Sequence, residues 1–282
     1  MSILTDCHLH SSFSADSEAP MENMIEKGLQ LGLTAMCFTE HMDHGMLDNG
    51  VSFEVDTAAY REGFLKLKEK YRGKIELLFG IELGLEAQYA DFLNEYSHAW
   101  DFDFIIGSSH TVEGKDPYFA DFYEGRTEEE AYRTYFETIP KNLAAFSNVD
   151  TYGHLDYVVR YGPNKNREYS YEKYRDVLDA ALKALIEHGV GLEINSAGYK
   201  QGLCAPNPCM DIVKAYRRLG GEIVTIGSDA HAPEWITGEF GRVRELLLEC
   251  GFRYYAVFRE RKPYFLSCLL YTSDAADDLT RV

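Results

Sequence analysis

The chain has 282 residues, with 28 Lys and Arg against 46 Asp and Glu, and a formal net charge of −18. A hydrophobic share of 45% excludes a disordered chain, and the acidic balance argues against a surface built for nucleic acid or an anionic membrane. Six Cys with no CxxC pair favour reduced thiols over a disulfide scaffold. No basic leader precedes the first apolar run, and no run is long enough to span a bilayer. A soluble, cytoplasmic protein is therefore expected.

No fixed-period repeat and no linker divides the chain. Short apolar runs alternate with amphipathic helical segments. The first run, 3–9, ends in His8-Leu9-His10, and a helix follows over 21–29. Run 35–39 leads into Glu40-His41, and a helix follows over 57–71. Run 75–81 leads into Glu82, and run 102–107 into Ser108-Ser109-His110. Thr127 and Glu130 fit a capping box at the next helix, which Pro140 is expected to break or kink. Run 149–153 leads into His154-Leu155-Asp156. Ser170 then opens a helix with Tyr171, Tyr174, Leu178, Ala181 and Leu185 on one face, and Gly189 stops it. Run 191–194 ends in Glu193-Ile194-Asn195. Asn207 and Pro208 read as the cap and first turn of a helix that Gly220 and Gly221 close. Run 223–227 leads into Ser228-Asp229-Ala230-His231.

Runs that are apolar on consecutive positions read as strands buried on both faces. Seven of them alternating with helices predict an α/β fold with a parallel sheet. Almost every strand ends in a metal-ligand residue type. An open sheet would spread these along an edge, whereas a closed one gathers them around one mouth. The expected fold is therefore a distorted seven-stranded (β/α)7 TIM-like barrel, with a metal centre at the C-terminal rim of the strands.

His8 and His10 alternate along a strand, so they share a face. Imidazole and carboxylate donors suit Zn, Mn or Fe, and the absence of a Cys cluster disfavours a structural zinc site. His8, His10, His41, His110, His154 and His231 with Glu82 and Asp229 exceed the needs of one ion. Two or three divalent ions are expected. Paired ions roughly 3.5–4 Å apart can clamp an in-line displacement at phosphorus and lower the pKa of bound water from about 15.7 towards about 7. A single His at a strand end is ordinarily structural, but buried ionisable groups at six strand ends are costly unless paired or metal-bound. His98 and His188 read as helix residues without a ligand role, and His44 stays open. Glu40 and Asp156 are expected to orient histidines. Asp16 is either a helix N-terminal residue or a further ligand.

These motifs, in this order, resemble the polymerase and histidinol phosphatase (PHP) family from about residue 5 to residue 265. Within it, the chain resembles the stand-alone histidinol-phosphatase branch, through 153–161, 193–200 and Arg261-Lys262-Pro263. The resemblance implies a trinuclear centre. His8, His10, Glu82 and Asp229 would hold one metal. Glu82, His110 and His154 would hold the second, and His41, His231 and Asp16 the third; many relatives carry His in the Asp16 slot. It implies hydrolysis of L-histidinol phosphate, a step of histidine biosynthesis, through a metal-activated hydroxide. Asp229, Glu82 and His231 would form the catalytic set. Arg160, six residues past His154, suits phosphate oxygens through its planar fork, and Lys200 would add a point charge. Glu40, Asp43 and Tyr-rich loops could face the cationic amine and imidazole.

The partner expected is thus a small phosphate ester. A nucleotide 3′-phosphate or short oligonucleotide is the alternative substrate. An amidohydrolase-type site would need a bridging Lys where Glu82 stands, and a catalytically silent metal-binding module would not need the whole donor set. Past Phe265 the chain continues through Ser267-Cys268-Leu269-Leu270-Tyr271-Thr272-Ser273-Asp274, a string that resembles a translated sequencing adapter. One domain over 1–266 is expected, with 267–282 a non-native tail.

Overall fold

Runs buried on both faces pair side by side in a computed structural model that describes residues 3–269. The strands are β1 (Thr5–Leu9), β2 (Ala35–Asp48), β3 (Val51–Glu54), β4 (Glu76–Gly84), β5 (Phe104–Ser108), β6 (Thr151–Tyr152), β7 (Gly191–Asn195), β8 (Val224–Gly227), β9 (Tyr254–Arg259) and β10 (Lys262–Ser267). The helices are α1 (Met21–Gln30), α2 (Thr57–Lys70), α3 (Ala90–Ala99), α4 (Glu128–Ala145), α5 (Arg175–Glu187), α6 (Ala197–Lys200), α7 (Met210–Leu219) and α8 (Phe240–Glu249).

Strands β1-β2-β4-β5-β6-β7-β8 lie in that order, all in parallel pairs. The ends approach each other through a parallel bridge between Leu9 and Ala230. Asp229 N donates to His8 O at 2.9 Å and His10 N to Ala230 O at 3.0 Å. Lower in the seam there is no ladder, and the buried Asp6 carboxylate accepts from Ser228 N and Thr237 N, each at 3.0 Å. The expected seven-stranded barrel is therefore present and nearly closed. Its core is apolar and aromatic: Phe79 packs against Tyr60, Phe64 and Phe102. The Tyr60 hydroxyl lies 2.9 Å from Phe38 O and 3.1 Å from Gly80 O, tying α2 to two neighbouring strands.

Register carries function. In the β2–β4 pair His41 stands opposite Glu82, so one strand pairing places two donors side by side. Past Met42, β2 leaves the barrel and turns back antiparallel onto β3, a hairpin absent from the expected elements. Asn49 (φ 48°) and Gly50 (φ 82°) form its tip, the left-handed pair that a two-residue hairpin demands. A second hairpin, β9–β10, turns at Glu260 and Arg261 and covers the opposite end of the barrel. There Arg259 grips Glu76 by two bonds of 2.6 Å, Arg261 Nε donates to Asp150 at 2.6 Å, and Phe258 stacks on Phe104.

Two local expectations change. Pro140 lies inside α4, which runs on to Ala145 after a capping box at Thr127 and Glu130. Burial of Tyr135, Phe136, Ile139 and Leu143 on one face outweighs the one backbone bond that Pro removes. Asn207 does not cap α7; Cys209 holds that position without a side-chain bond. The Asn207 side chain instead faces Arg160 and Asp156. Gly220 ends α7 in the left-handed conformation, as expected. Ser267 completes β10 and Cys268 is buried, so packing continues just past residue 266. The remainder of the expected tail, 270–282, lies outside the described residues. No helix among the described residues is long and apolar enough to cross a membrane.

Candidate metal centre

All the strand-end donors meet at one mouth. Glu82, from the end of β4, is fully buried at the centre. Its Oε2 lies 3.0 Å from His8 Nε2, 3.4 Å from His10 Nε2 and 3.3 Å from His41 Nδ1. Its Oε1 lies 3.0 Å from His154 Nε2 and 3.2 Å from His110 Nε2. Asp229 Oδ1 lies 3.8 Å from His8 Nε2, 3.5 Å from His10 Nε2 and 3.7 Å from His231 Nδ1. Asp16 Oδ2 sits at the outer edge, 3.1 Å from His231 Nε2 and 3.6 Å from His41 Nε2.

Donor atoms that could share an ion fall into overlapping groups. One comprises His8, His10 and Glu82, and another Glu82, His110 and His154, with Glu82 common to both. His10 rather than Asp16 joins His41 and His231 in a third group, and Asp229 groups with His8 and His154. Asp43, expected only as a neighbour of substrate, groups with His41 and His110.

The donor chemistry fits divalent cations. His8 and His10 point Nε2 atoms at each other across 3.1 Å, an arrangement in which at most one can donate a proton usefully. His41 Nδ1 and Asp43 Oδ2 are buried and face each other at 3.4 Å without forming a well-aligned hydrogen bond. Four carboxylates (Glu82, Asp229, Asp43 and Asp16) converge here. Burial opposes their ionisation, but facing imidazoles hold Glu82, and His8 with the Arg160 guanidinium holds Asp229, well below the carboxylate range. Burial likewise opposes protonation of His8, yet Glu193, Glu82 and Asp229 raise it. His110 is pushed up to about 10, with Asp43 and Glu82 overcoming burial. His10 is held down to about 3 by burial and by its neighbours His231 and His41. The centre thus gathers negative charge that protons on some histidines offset, a role a metal cation fills better.

Supporting groups fix the donors. Glu193 Oε1 lies 2.5 Å from His8 Nδ1, and its Oε2 accepts from His154 N at 2.8 Å. Asp43 Oδ1 lies 2.6 Å from His110 Nδ1. Both are carboxylate–histidine pairs of the kind that set tautomer and basicity. Gly227 makes this approach possible, since a Cβ there would stand 2.3 Å from His8 Cβ and 2.6 Å from Glu193 Oε1. His154 and Asp229 both adopt left-handed backbones (φ 21° and 54°), strain of about 1–3 kcal/mol each that recurs at functional sites. Glu193 is legible as a strand-end residue, but its place against His8 Nδ1 follows only from the fold.

Two expected orienting carboxylates act differently. Glu40 accepts from Ser11 Oγ and Ser14 Oγ, each at 2.5 Å, and reaches His10 only through Ser14. It is fully buried, away from the cavity. Asp156 touches no histidine; it accepts from Asn207, Tyr169 and Cys209 N. His44 stacks on Phe92 and pairs with Glu54, outside the donor cluster.

A cavity of about 370 Å³ opens above the donors. Arg160 and Lys200 both line it. Arg160 is buried, with Nη1 3.0 Å from Asp229 Oδ2. Lys200 Nζ lies 4.2 Å over the Trp235 ring at the mouth. The remaining wall is acidic and aromatic, with Asp43, Asp48, Asp116, Phe53, Tyr118, Tyr157 and Tyr161.

A nearly closed (β/α) barrel with a ring of His and carboxylate donors at its C-terminal rim defines a metal-dependent barrel hydrolase. Residues 6–197 match the model of the PHP domain, and the chain belongs to that family. It is 30% identical over 260 residues to the histidinol-phosphatase of Lactococcus lactis subsp. lactis, covering 91% of this chain and 95% of that one. It is 32% identical over 257 residues to the "Probable histidinol-phosphatase" of Thermotoga maritima, covering 90% and 95%. The crystal structure of the Lactococcus lactis histidinol phosphate phosphatase, complexed with Zn, L-histidinol and phosphate, matches with a TM-score of 0.86 at 30% identity. That match covers 93% of this chain and 99% of the other.

Proposed function

We propose that this protein is a metal-dependent phosphomonoesterase that hydrolyses L-histidinol phosphate to L-histidinol and phosphate, a cytoplasmic step of histidine biosynthesis. The observation that carries this reading is the near full-length likeness to an enzyme solved with Zn, L-histidinol and phosphate. The donor ring of this chain supports it independently.

In this reading His8, His10, Glu82 and Asp229 hold one divalent ion, and Glu82, His110 and His154 a second. His41, His231 and Asp16 hold a third. Ions there supply Lewis acidity to the phosphate oxygens and a water activated at neutral pH. The chain's own residues do the rest. Asp229 and Glu82 stay ionised and accept hydrogen bonds from the attacking water, which fixes its approach. Arg160 presents Nη1 to a phosphate oxygen at the inner wall, and Lys200 adds a second cation at the mouth. His231, which would hold the third ion with His41 and Asp16, completes the catalytic set, and the leaving alkoxide takes its proton from a nearby acid or water.

The wall suits the leaving group. Asp43, Asp48 and Asp116 face a substrate that carries an amine and an imidazole, and Tyr118, Tyr157 and Tyr161 offer ring faces to a cation. Side-by-side turnover of L-histidinol phosphate and 3′-AMP by the metal-loaded protein tests the reading. Higher kcat/KM on histidinol phosphate is expected; preferential hydrolysis of AMP would overturn it.

A further inference from the structure

Arg160 is a buried cation held by one carboxylate and two neutral amides. It ends the short turn Tyr157–Arg160 that follows β6, and its guanidinium lies over the Tyr157 ring. Nε donates to Asn207 Oδ1 at 2.9 Å and Nη2 to Asn195 Oδ1 at 3.0 Å. Only Nη1 meets an anion, Asp229 Oδ2 at 3.0 Å. Two amide oxygens thus fix the plane of the guanidinium without cancelling its charge. A carboxylate at either position would hold it equally well and neutralise it.

The amides can face Arg160 only one way round. Asn207 Nδ2 donates to Asp156 Oδ1 at 2.6 Å, which forces Oδ1 towards the guanidinium. The other Asp156 oxygen accepts from Tyr169 OH and Cys209 N, each at 3.1 Å, so that carboxylate is itself fixed. Asn195 Nδ2 is drawn to Glu193 Oε2 at 3.1 Å, with the same result. The backbones of Asn195 and Asn207 pair in both directions, at 2.8 and 2.9 Å. Gly198 allows this closure, because a Cβ there would stand 2.8 Å from Asn207 Oδ1 and 2.4 Å from Ala205 O.

We propose that Asn207, oriented by Asp156, is a positioning residue that presents Arg160 to the phosphate of the substrate without adding a second negative charge beside that of Asp229. This rests on the reading of Arg160 as a phosphate-binding cation. An arriving phosphate oxygen takes Nη1 over from Asp229, while Nε and Nη2 stay anchored on the two amides. Asn207 itself touches no substrate.

The test is calorimetric titration of inorganic phosphate into metal-loaded full-length protein, with elemental analysis of each variant. Asn207→Ala is expected to weaken phosphate binding about tenfold, the scale of one hydrogen bond to a charged group, with metal content unchanged. Asn207→Asp preserves the acceptor and the shape but adds negative charge, and it too should weaken binding; it serves where the Ala variant folds poorly. Arg160→Ala should weaken binding at least as much, and Asn207→Ala added to it should change nothing further. Unchanged phosphate affinity in Asn207→Ala and Asn207→Asp, or factors that multiply in the double variant, would overturn the proposal. Failure of the substrate reading looks different: phosphate binds and responds to Asn207, but histidinol phosphate is not turned over.

Discussion

The two ends of the barrel handle charge in opposite ways. At the end covered by β9–β10, two cations each meet their own carboxylate: Arg259 meets Glu76, and Arg261 meets Asp150. Asp103 is satisfied by backbone donors, Phe79 N and Glu260 N. At the C-terminal rim, four carboxylates and six histidines crowd together without one-to-one pairing, and His41 Nδ1, Asp43 Oδ2 and His154 Nδ1 are buried without a hydrogen bond. The first arrangement closes on itself and is stable as it stands. The second is complete only with added cations, and this separates a structural cluster of charge from a reactive one.

That contrast can be broken experimentally. The largest effect is expected for Glu82→Ala, since Glu82 touches five histidines. A loss of kcat/KM on the order of 10³-fold, with metal loss by elemental analysis, should result. Retained activity would mean the rim is not the active site.

Glu193→Gln probes the layer beneath. It keeps the shape but weakens the pull on His8 Nδ1, and metal affinity should fall about 10–100-fold, measured by competition with a chromogenic chelator. Unchanged affinity would make Glu193 a packing residue only.

The metal-free protein should show a pH dependence that the loaded form lacks. His110 has its pKa raised in the folded state to about 10 by Asp43 and Glu82 against burial. A raised histidine contributes stability that is fully present below about pH 6.5, the unfolded value, and is lost as pH rises towards 10. The thermal midpoint of metal-free protein should therefore fall across that window. With metal bound, His110 serves as a neutral ligand and this slope should disappear.

The smallest catalytic effect belongs to the other end. Arg261→Ala leaves the mostly buried Asp150 with Ile105 N but no cation, and should cost about 1–3 kcal/mol of stability by urea titration. It should leave kcat/KM and metal content unchanged. A drop in metal content would show that the two ends are not independent.

Most of the donor set was legible because strand ends on a closed barrel converge, so one-dimensional positions translate directly into one rim. His8, His10, His41, Glu82, His110, His154, Asp229 and His231 all follow that rule. Supporting residues were less legible because their partners lie far along the chain: Glu193 is 185 residues from His8. Asn207 illustrates the difficulty well. Asn before Pro at a helix start satisfies local capping chemistry, yet the side chain serves Arg160, 47 residues away. Asp43 hid similarly, since it lies in the part of β2 that departs from the barrel. The Asn49-Gly50 tip is a hairpin signal, but β2 runs on without a break past the donors at Glu40-His41 to reach it. Asp16 sits at the edge of the centre because its segment, between β1 and α1, is not part of the barrel.

The central claim is that the rim is an incomplete charge cluster built around several divalent ions. Metal stoichiometry of the purified, catalytically active protein tests it most directly. Elemental analysis should find two or three divalent ions per chain, with phosphatase activity lost on chelation and restored on reloading. Full activity with fewer than two ions per chain would contradict the account.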